Sequence, residues 1–256
     1  MTVGEVLSMI NAAAPFDTQE EWDNSGLLVG SASDPVSGIL FALDITEPVI
    51  AEARRKGASL IVTHHPVMIA PRRRLTDADR EGRVISALIR TGISLISAHT
   101  NLDRAPGGIN DVLARRCGLS AVSGEGFFRA GLLPEPLRAG DYAVSLRKSL
   151  SCTVRLMGPE NKAVRKVGLC SGGGSDAWQE AVQAGCDAFV TGEMKHHLAL
   201  DAADAGLVVL ECGHFATEDP GIRALAETLQ IEINQLKCNV GIYISEIPAY
   251  AFSQQP

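Results

Sequence analysis

Short apolar runs alternate with helical patterns along most of this chain. Residues 2–14 place Val3, Val6, Leu7 and Ile10 at helical spacing, and Thr2 with Glu5 three residues on forms a capping box, which predicts a helix. Gly26-Leu-Leu-Val-Gly30 and Ser37–Leu43 read as strands, and Pro48–Lys56 as a helix opened by proline and closed by Gly57. Ser59–Thr63 reads as a strand, Asp79–Arg90 as a helix ended by Gly92, Ile93–Ala98 as a strand, and Ile109–Cys117 as a helix ended by Gly118. Ser123-Gly-Glu-Gly126 and Leu133-Pro-Glu-Pro-Leu-Arg-Ala-Gly140 are turn-rich, which places a lobe boundary near residue 122 and gives lobes 1–122 and 123–256. The rhythm then resumes. Helices are predicted over Leu137–Leu150, Asp176–Ala184, His196–Ala205 and Pro220–Leu229. Strands are predicted over Thr153–Met157, Lys166–Cys170, Asp187–Thr191, Leu207–Glu211 and Ile242–Ile247. Ser253–Pro256 reads as a frayed tail. The alternation predicts an α/β protein of two lobes, with mostly parallel sheets flanked by helices.

At 256 residues, 46% hydrophobic and 21% charged, the chain can bury a sizeable core. Its net charge of −7 argues against a uniformly basic nucleic-acid surface and suits the holding of cations. The six cysteines, at 117, 152, 170, 186, 212 and 238, include no CxxC pair, so buried reduced thiols are expected rather than a zinc knuckle or redox motif. The N-terminus lacks a basic segment followed by a long apolar one, and no apolar run approaches the ~20 residues of a membrane span. A soluble, cytoplasmic protein is expected.

Three clusters carry candidate chemistry, each after an apolar strand: His64 and His65 in Thr63-His-His-Pro66, Asp103 in His99-Thr-Asn-Leu-Asp103, and His214 with Glu218 in Cys212-Gly-His-Phe-Ala-Thr-Glu218. Three imidazoles and two carboxylates suit a pair of borderline divalent cations. Neighbouring side chains on a strand point to opposite faces, but past the strand end the backbone can turn, and each histidine can then address a different cation of a pair about 3.5–4 Å apart. The competing reading is one exposed and one core histidine. Asp103 reads equally as a turn residue or helix cap. His214 and Glu218, four apart, share a face if they lie on a helix. Open α/β sheets gather ligands beyond their strands' carboxyl ends, which favours convergence.

The ordered stretches Trp22-Asp-Asn-Ser-Gly-Leu-Leu-Val-Gly30, Thr63-His-His-Pro66, His99-Thr-Asn-Leu-Asp103, Thr191-Gly-Glu193 and Gly213-His-Phe-Ala-Thr-Glu218 resemble the dinuclear-metal-centre family labelled GTP cyclohydrolase 1 type 2 homologues, relatives of the Ngg-interacting-factor-three protein. The resemblance runs over nearly the whole chain. It implies a two-lobed α/β fold with two metal ions between the lobes and, commonly, a toroidal homohexamer. It also implies a ligand set. His65 and Asp103 serve one ion, His64 and His214 the other, and Glu218 bridges both. Nitrogen-rich ligation is compatible with zinc, iron or manganese, and equally with cobalt or nickel.

Hydrolysis is the natural reaction class for such a centre, and the expected substrate is a nucleotide-like small molecule. His99 is the candidate for acid/base or outer-sphere work, with a structural histidine as the competing reading. One of His196 and His197 is a further candidate to face the site. Trp22 reads as a substrate platform or as a core indole, and Arg72-Arg-Arg74 as a steering patch for anions or as a solvated loop. Ser171-Gly-Gly-Gly-Ser-Asp-Ala177 satisfies G-x-G-x-x-A, with Glu193 near the position of a ribose-binding acid. A dinucleotide fold is therefore a competing reading, and a phosphate held on backbone N–H groups is its milder form. A non-enzymatic ring, acting as scaffold or partner-binding module, is the third.

Overall fold

The computed structural model describes Met1–Ile247; the tail expected at Ser253–Pro256 lies outside the described residues. Two compact units are present: Met1–Pro106 joined by the chain from Ile222 on, and Gly107–Gly221. Residue 122 therefore falls inside the second unit rather than at a boundary.

The first unit holds a sheet of β1 (Gly26–Val29), β2 (Gly38–Ala42), β3 (Leu60–Thr63), β4 (Ser94–Ser97) and β11 (Gly241–Ile244), in the order β1-β4-β3-β2-β11. Every residue of β2, β3 and β4 is buried, which is why these strands read as unbroken apolar runs rather than alternating ones. Three pairings are parallel, and β1 runs antiparallel to β4. Helix α1 (Val3–Ala13) carries the capping box: the Glu5 N–H donates to Thr2 Oγ1, and the Thr2 N–H to Glu5 Oε2 at 2.7 Å. Helices α2 (Glu47–Lys56) and α3 (Arg80–Thr91) end on left-handed Gly57 and Gly92. They pack Val49, Ile50, Ala53, Val84, Ile85 and Leu88 on Leu40, Ile61 and Leu95. A short helix, α4 (Thr100–Arg104), follows β4.

The second unit has the strands β5 (Ser120–Ser123), β6 (Arg129–Arg138), β7 (Arg155–Met157), β8 (Ala163–Cys170), β9 (Ala188–Thr191) and β10 (Val208–Glu211), in the order β5-β6-β8-β9-β10-β7. The β8-β9 and β9-β10 pairs are parallel and the other three antiparallel, so the first sheet is mostly parallel and the second keeps a parallel centre between antiparallel outer strands. Side chains alternate between the faces. Val190, Val208 and Leu210 pack with α5 (Ile109–Arg116) and α6 (Ala139–Leu150), and Phe189 and Val209 pack with α7 (Trp178–Gln183) and α8 (His196–Asp204). The helix expected to start at Pro220 is the later part of α9 (His214–Gln235), which begins at His214 with Pro220 inside it. Among the described residues no helix is long and apolar enough to cross a membrane. All six cysteines are free, four of them buried; burial pushes the Cys117 thiol up to about 12.

Candidate metal centre

Strands β2, β3 and β4 point the same way, so their carboxyl ends share one edge of the first sheet. Beyond that edge lie Asp44 after β2, His64 and His65 after β3, and His99 after β4. The ladder carries on past the strands: the His65 N–H donates to Leu43 O at 3.0 Å, and the Ala98 N–H to Thr63 O at 2.9 Å. Thr63 Oγ1 donates to the His65 carbonyl at 2.9 Å, and the Ser97 hydroxyl lies 2.9 Å from Thr63 Oγ1. This turn releases the two adjacent imidazoles from strand alternation. Their centroids lie 4.9 Å apart, and the His99 ring is 5.0 Å from His64 and 5.5 Å from His65. His64 is fully buried and His65 half-buried. Asp103 is buried on α4, with Oδ1 3.6 Å from His64 Nε2.

The second unit repeats the arrangement. The parallel strands β8, β9 and β10 bring Gly172, Glu193 and His214 beyond one edge. The Glu193 N–H donates to Gly172 O at 2.8 Å, and the Gly213 N–H to Gly192 O at 2.9 Å. His214 opens α9, so Glu218 falls one turn later on the same face, with its Oε2 3.1 Å from His214 Nε2. Gly172 is left-handed, with φ +56°. A Cβ there would overlap Glu218 Oε1 and stand 3.1 Å from His214 Nε2. Only glycine leaves room over this donor pair.

His64, His65, His99 and His214 share one arrangement. Nδ1 of His64 faces the Ala98 carbonyl at 2.8 Å, that of His65 faces Asp44 at 2.8 Å, that of His99 faces Asp23 at 2.8 Å, and that of His214 faces Glu193 at 3.2 Å. A carbonyl can only accept, so His64 carries its proton on Nδ1 and its lone pair on Nε2; an ionised carboxylate imposes the same tautomer on the other three. Imidazoles oriented by a carbonyl or carboxylate and presenting Nε2 are the usual form of metal-binding histidine. The donor chemistry and the space over Gly172 fit a divalent cation, and these buried His, Asp and Glu groups can bind one.

Sequence reasoning missed the anchors. Asp23 accepts hydrogen bonds from His99 Nδ1, from the Thr100 N–H and hydroxyl, and from Ser25 Oγ. Burial pushes its carboxyl up, but the bonds from His99 and Thr100 outweigh that and hold it well below the usual carboxylate range. Trp22, read as platform or core indole, is 57% exposed and meets His99 edge-on at 5.9 Å, so it is no core residue. Glu193 anchors His214 rather than marking a ribose site. The glycine turn spends its amides internally: Ser171 N–H on Asn110 Oδ1, Gly172 N–H on Thr217 Oγ1, and Gly174 N–H on Ser171 O. Those three amides are therefore not offered to a phosphate. His196 and His197 are both exposed at the start of α8. Arg72 is ion-paired with Asp79 and Glu81, so its charge is not available to steer an anion, and Arg73 and Arg74 are solvated.

The family model described as Duf34/NIF3 (NGG1p interacting factor 3) matches residues 1–249. The chain belongs to this family. A Clostridium perfringens relative of the NIF3-family chain, named GTP cyclohydrolase 1 type 2 homolog, is 34% identical over 90% of this chain and 92% of its own length. A Drosophila melanogaster relative named NIF3-like protein 1 is 31% identical over 94% of this chain and 85% of its own. The crystal structure of a Staphylococcus aureus protein, SA1388, superposes on this NIF3-family fold with a TM-score of 0.94 and 28% identity, covering 100% of this chain and 99% of that one.

Proposed function

We propose that the chain is a dinuclear divalent-metal hydrolase of the cytoplasm, acting on a nucleotide-like small molecule, with His64, His65, Asp103, His214 and Glu218 as its metal ligands. The observation that carries the reading is the set of oxygen-anchored imidazoles, each with its lone pair on Nε2. The family resemblance supports a pair of ions, which these five ligands would hold, and an assembly of six chains. Zinc, iron or manganese is the expected metal, since nitrogen and carboxylate donors accept all three. The relatives' name, GTP cyclohydrolase 1 type 2 homolog, supports the substrate class.

When bound, the cations supply Lewis-acid polarisation and an acidified water. The chain's own residues do the rest. The hydrogen bonds that the rings donate to Ala98 O, Asp44 and Glu193 hold them in place, so ligation costs little reorganisation. Asp23 holds the proton of His99 on Nδ1, which leaves Nε2 to take a proton from an attacking water and return it to a leaving group.

Elemental analysis of the freshly purified protein tests the centre: close to two divalent ions per chain are expected, and fewer than one would refute the assignment. His65→Ala and Glu218→Ala should each lower metal content while the far-UV circular dichroism is unchanged. Turnover of a nucleotide panel by the metal-loaded protein, with His64→Ala as control, tests the hydrolase reading; no turnover at full metal loading would favour a metal-stabilised scaffold.

A further inference from the structure

His99 belongs to no family ligand set invoked above, yet one ring nitrogen from each of His64, His65 and His99 lies within 4.8 Å of the other two. All three residues follow β3 or β4 in the first unit. Their three Nδ1 atoms face Ala98 O, Asp44 and Asp23, so the three lone pairs belong to Nε2. His99 is tied down more firmly than an incidental neighbour. Its N–H donates to Ser25 Oγ at 3.0 Å, and the Asp23 that orients its ring has a buried side chain held by Thr100 and Ser25. A tetrahedral ion with nitrogen ligands at 2.0–2.1 Å needs them about 3.3 Å apart, so the rings must close in from within 4.8 Å when the ion binds.

We infer that His64, His65 and His99 form a three-imidazole site that binds one borderline divalent cation with donors of the first unit alone. Nitrogen-only ligation selects cobalt, nickel, copper or zinc over magnesium or calcium. The site shares His64 and His65 with the five-ligand centre proposed above. The two arrangements therefore alternate: three imidazoles when the chain holds a single ion, and the five-ligand set when it holds two. In the doubly loaded chain His99 is returned to proton transfer.

The test uses the full chain with His214→Ala and Glu218→Ala combined, which removes the second unit's donors and keeps the protein in its single-ion state. Cobalt(II) is titrated into the metal-free protein and followed by its visible d–d absorption, with cobalt per chain measured in parallel. The double variant is expected to bind one cobalt with an intense four-coordinate band that excess magnesium leaves unchanged. Adding His99→Ala should weaken binding by roughly 10- to 100-fold or more, since even outer partners of a ligand are worth that much, and should shift the band. The inference is overturned if the folded double variant binds no cobalt, or if His99→Ala changes neither affinity nor spectrum. If alanine prevents folding, glutamine at 214 and 218 takes its place under the same criteria. Failure of the five-ligand reading looks different: His214→Ala with Glu218→Ala would then leave the wild-type stoichiometry of two untouched.

Discussion

Gly172→Ala isolates what the glycine turn contributes to the donor pair beneath it. Gly172 sits at φ +56°, and a Cβ there would fall on Glu218 Oε1 and 2.9 Å from Glu218 Cδ. Holding an L-residue in the left-handed region costs about 1–2 kcal/mol. Forcing one extra carbon into a packed site costs about 1–3 kcal/mol more. The sum, about 2–5 kcal/mol, lowers Tm by roughly 4–20 °C at about 2–4 °C per kcal/mol for a chain of this size. Gly173 is the internal control: a Cβ there meets nothing within 4 Å, so Gly173→Ala should stay within about 0.5 kcal/mol of wild type. Thermal melts of the metal-free proteins measure the folding part. Melts with and without cobalt measure the site part, because a displaced Glu218 carboxylate weakens metal stabilisation as well. Adding Glu218→Ala to Gly172→Ala removes the collision and leaves the backbone cost, so the double-mutant cycle should show about 1–3 kcal/mol of coupling. The reasoning fails if Gly172→Ala melts like Gly173→Ala, or if the cycle is additive.

Two further outcomes follow from the anchors, and a third from a buried hydroxyl. The Asp23 carboxyl lies below its ordinary 3.8 in the native state, so its contribution is fully present above about pH 4 and drains as the pH falls, when the unfolded chain takes up a proton first. Urea unfolding of metal-free Asp23→Asn should therefore show a deficit of about 1.5–3 kcal/mol at pH 7, the worth of hydrogen bonds to a charge, that shrinks towards pH 2.5; an equal deficit at both pH values would contradict the assignment. Glu193→Gln should leave the fold intact and lower cobalt affinity about 10-fold, the low end for an exposed orienting carboxylate, and unchanged affinity would remove Glu193 from the centre. Tyr142→Phe strips a buried hydroxyl that donates to Cys117 O at 3.1 Å and should cost about 1 kcal/mol in the same urea assay.

The elements that were legible in the sequence are those whose own residues decide them. Strands β2, β3 and β4 are buried on both faces and so read as apolar runs, while α1 carries a capping box and α2 and α3 end on glycine stop signals. The second sheet's outer strands were not legible. β5 is exposed along its length and shows no apolar signal. β6 passes through Leu133-Pro-Glu-Pro136, which looks like a turn; in the structure the prolines lie in the irregular stretch between the Leu132 and Leu137 pairings with β8, where no ladder N–H is required. α9 was read as starting at Pro220 because proline favours a first turn, yet the helix already runs from His214 and forgoes one backbone bond. That error matters for chemistry, since the true start is what puts His214 and Glu218 on one face. The chain also leaves the first unit at Pro106, ahead of α5 and well before the turn-rich segments that suggested a boundary.

The ligand types were readable because ligation restricts residue identity: imidazole and carboxylate at strand ends form a small vocabulary. The anchors were not, because the bond that fixes each ring comes from elsewhere in the chain and its donor or acceptor has many other uses. Asp23 lies 76 positions from His99, and Asp44 lies 21 from His65. His64 is held by a backbone carbonyl, which has no sequence signature at all. One regularity does connect them. Asp44 and Glu193, like the histidines they hold, come just after parallel strands, so a ligand and its anchor are neighbours across a sheet edge even when distant in sequence. A carboxylate placed two residues past one strand of a parallel sheet is thus worth testing against any histidine past the next. On that geometric rule Thr191-Gly-Glu193 would have been read as His214's partner rather than as a nucleotide motif.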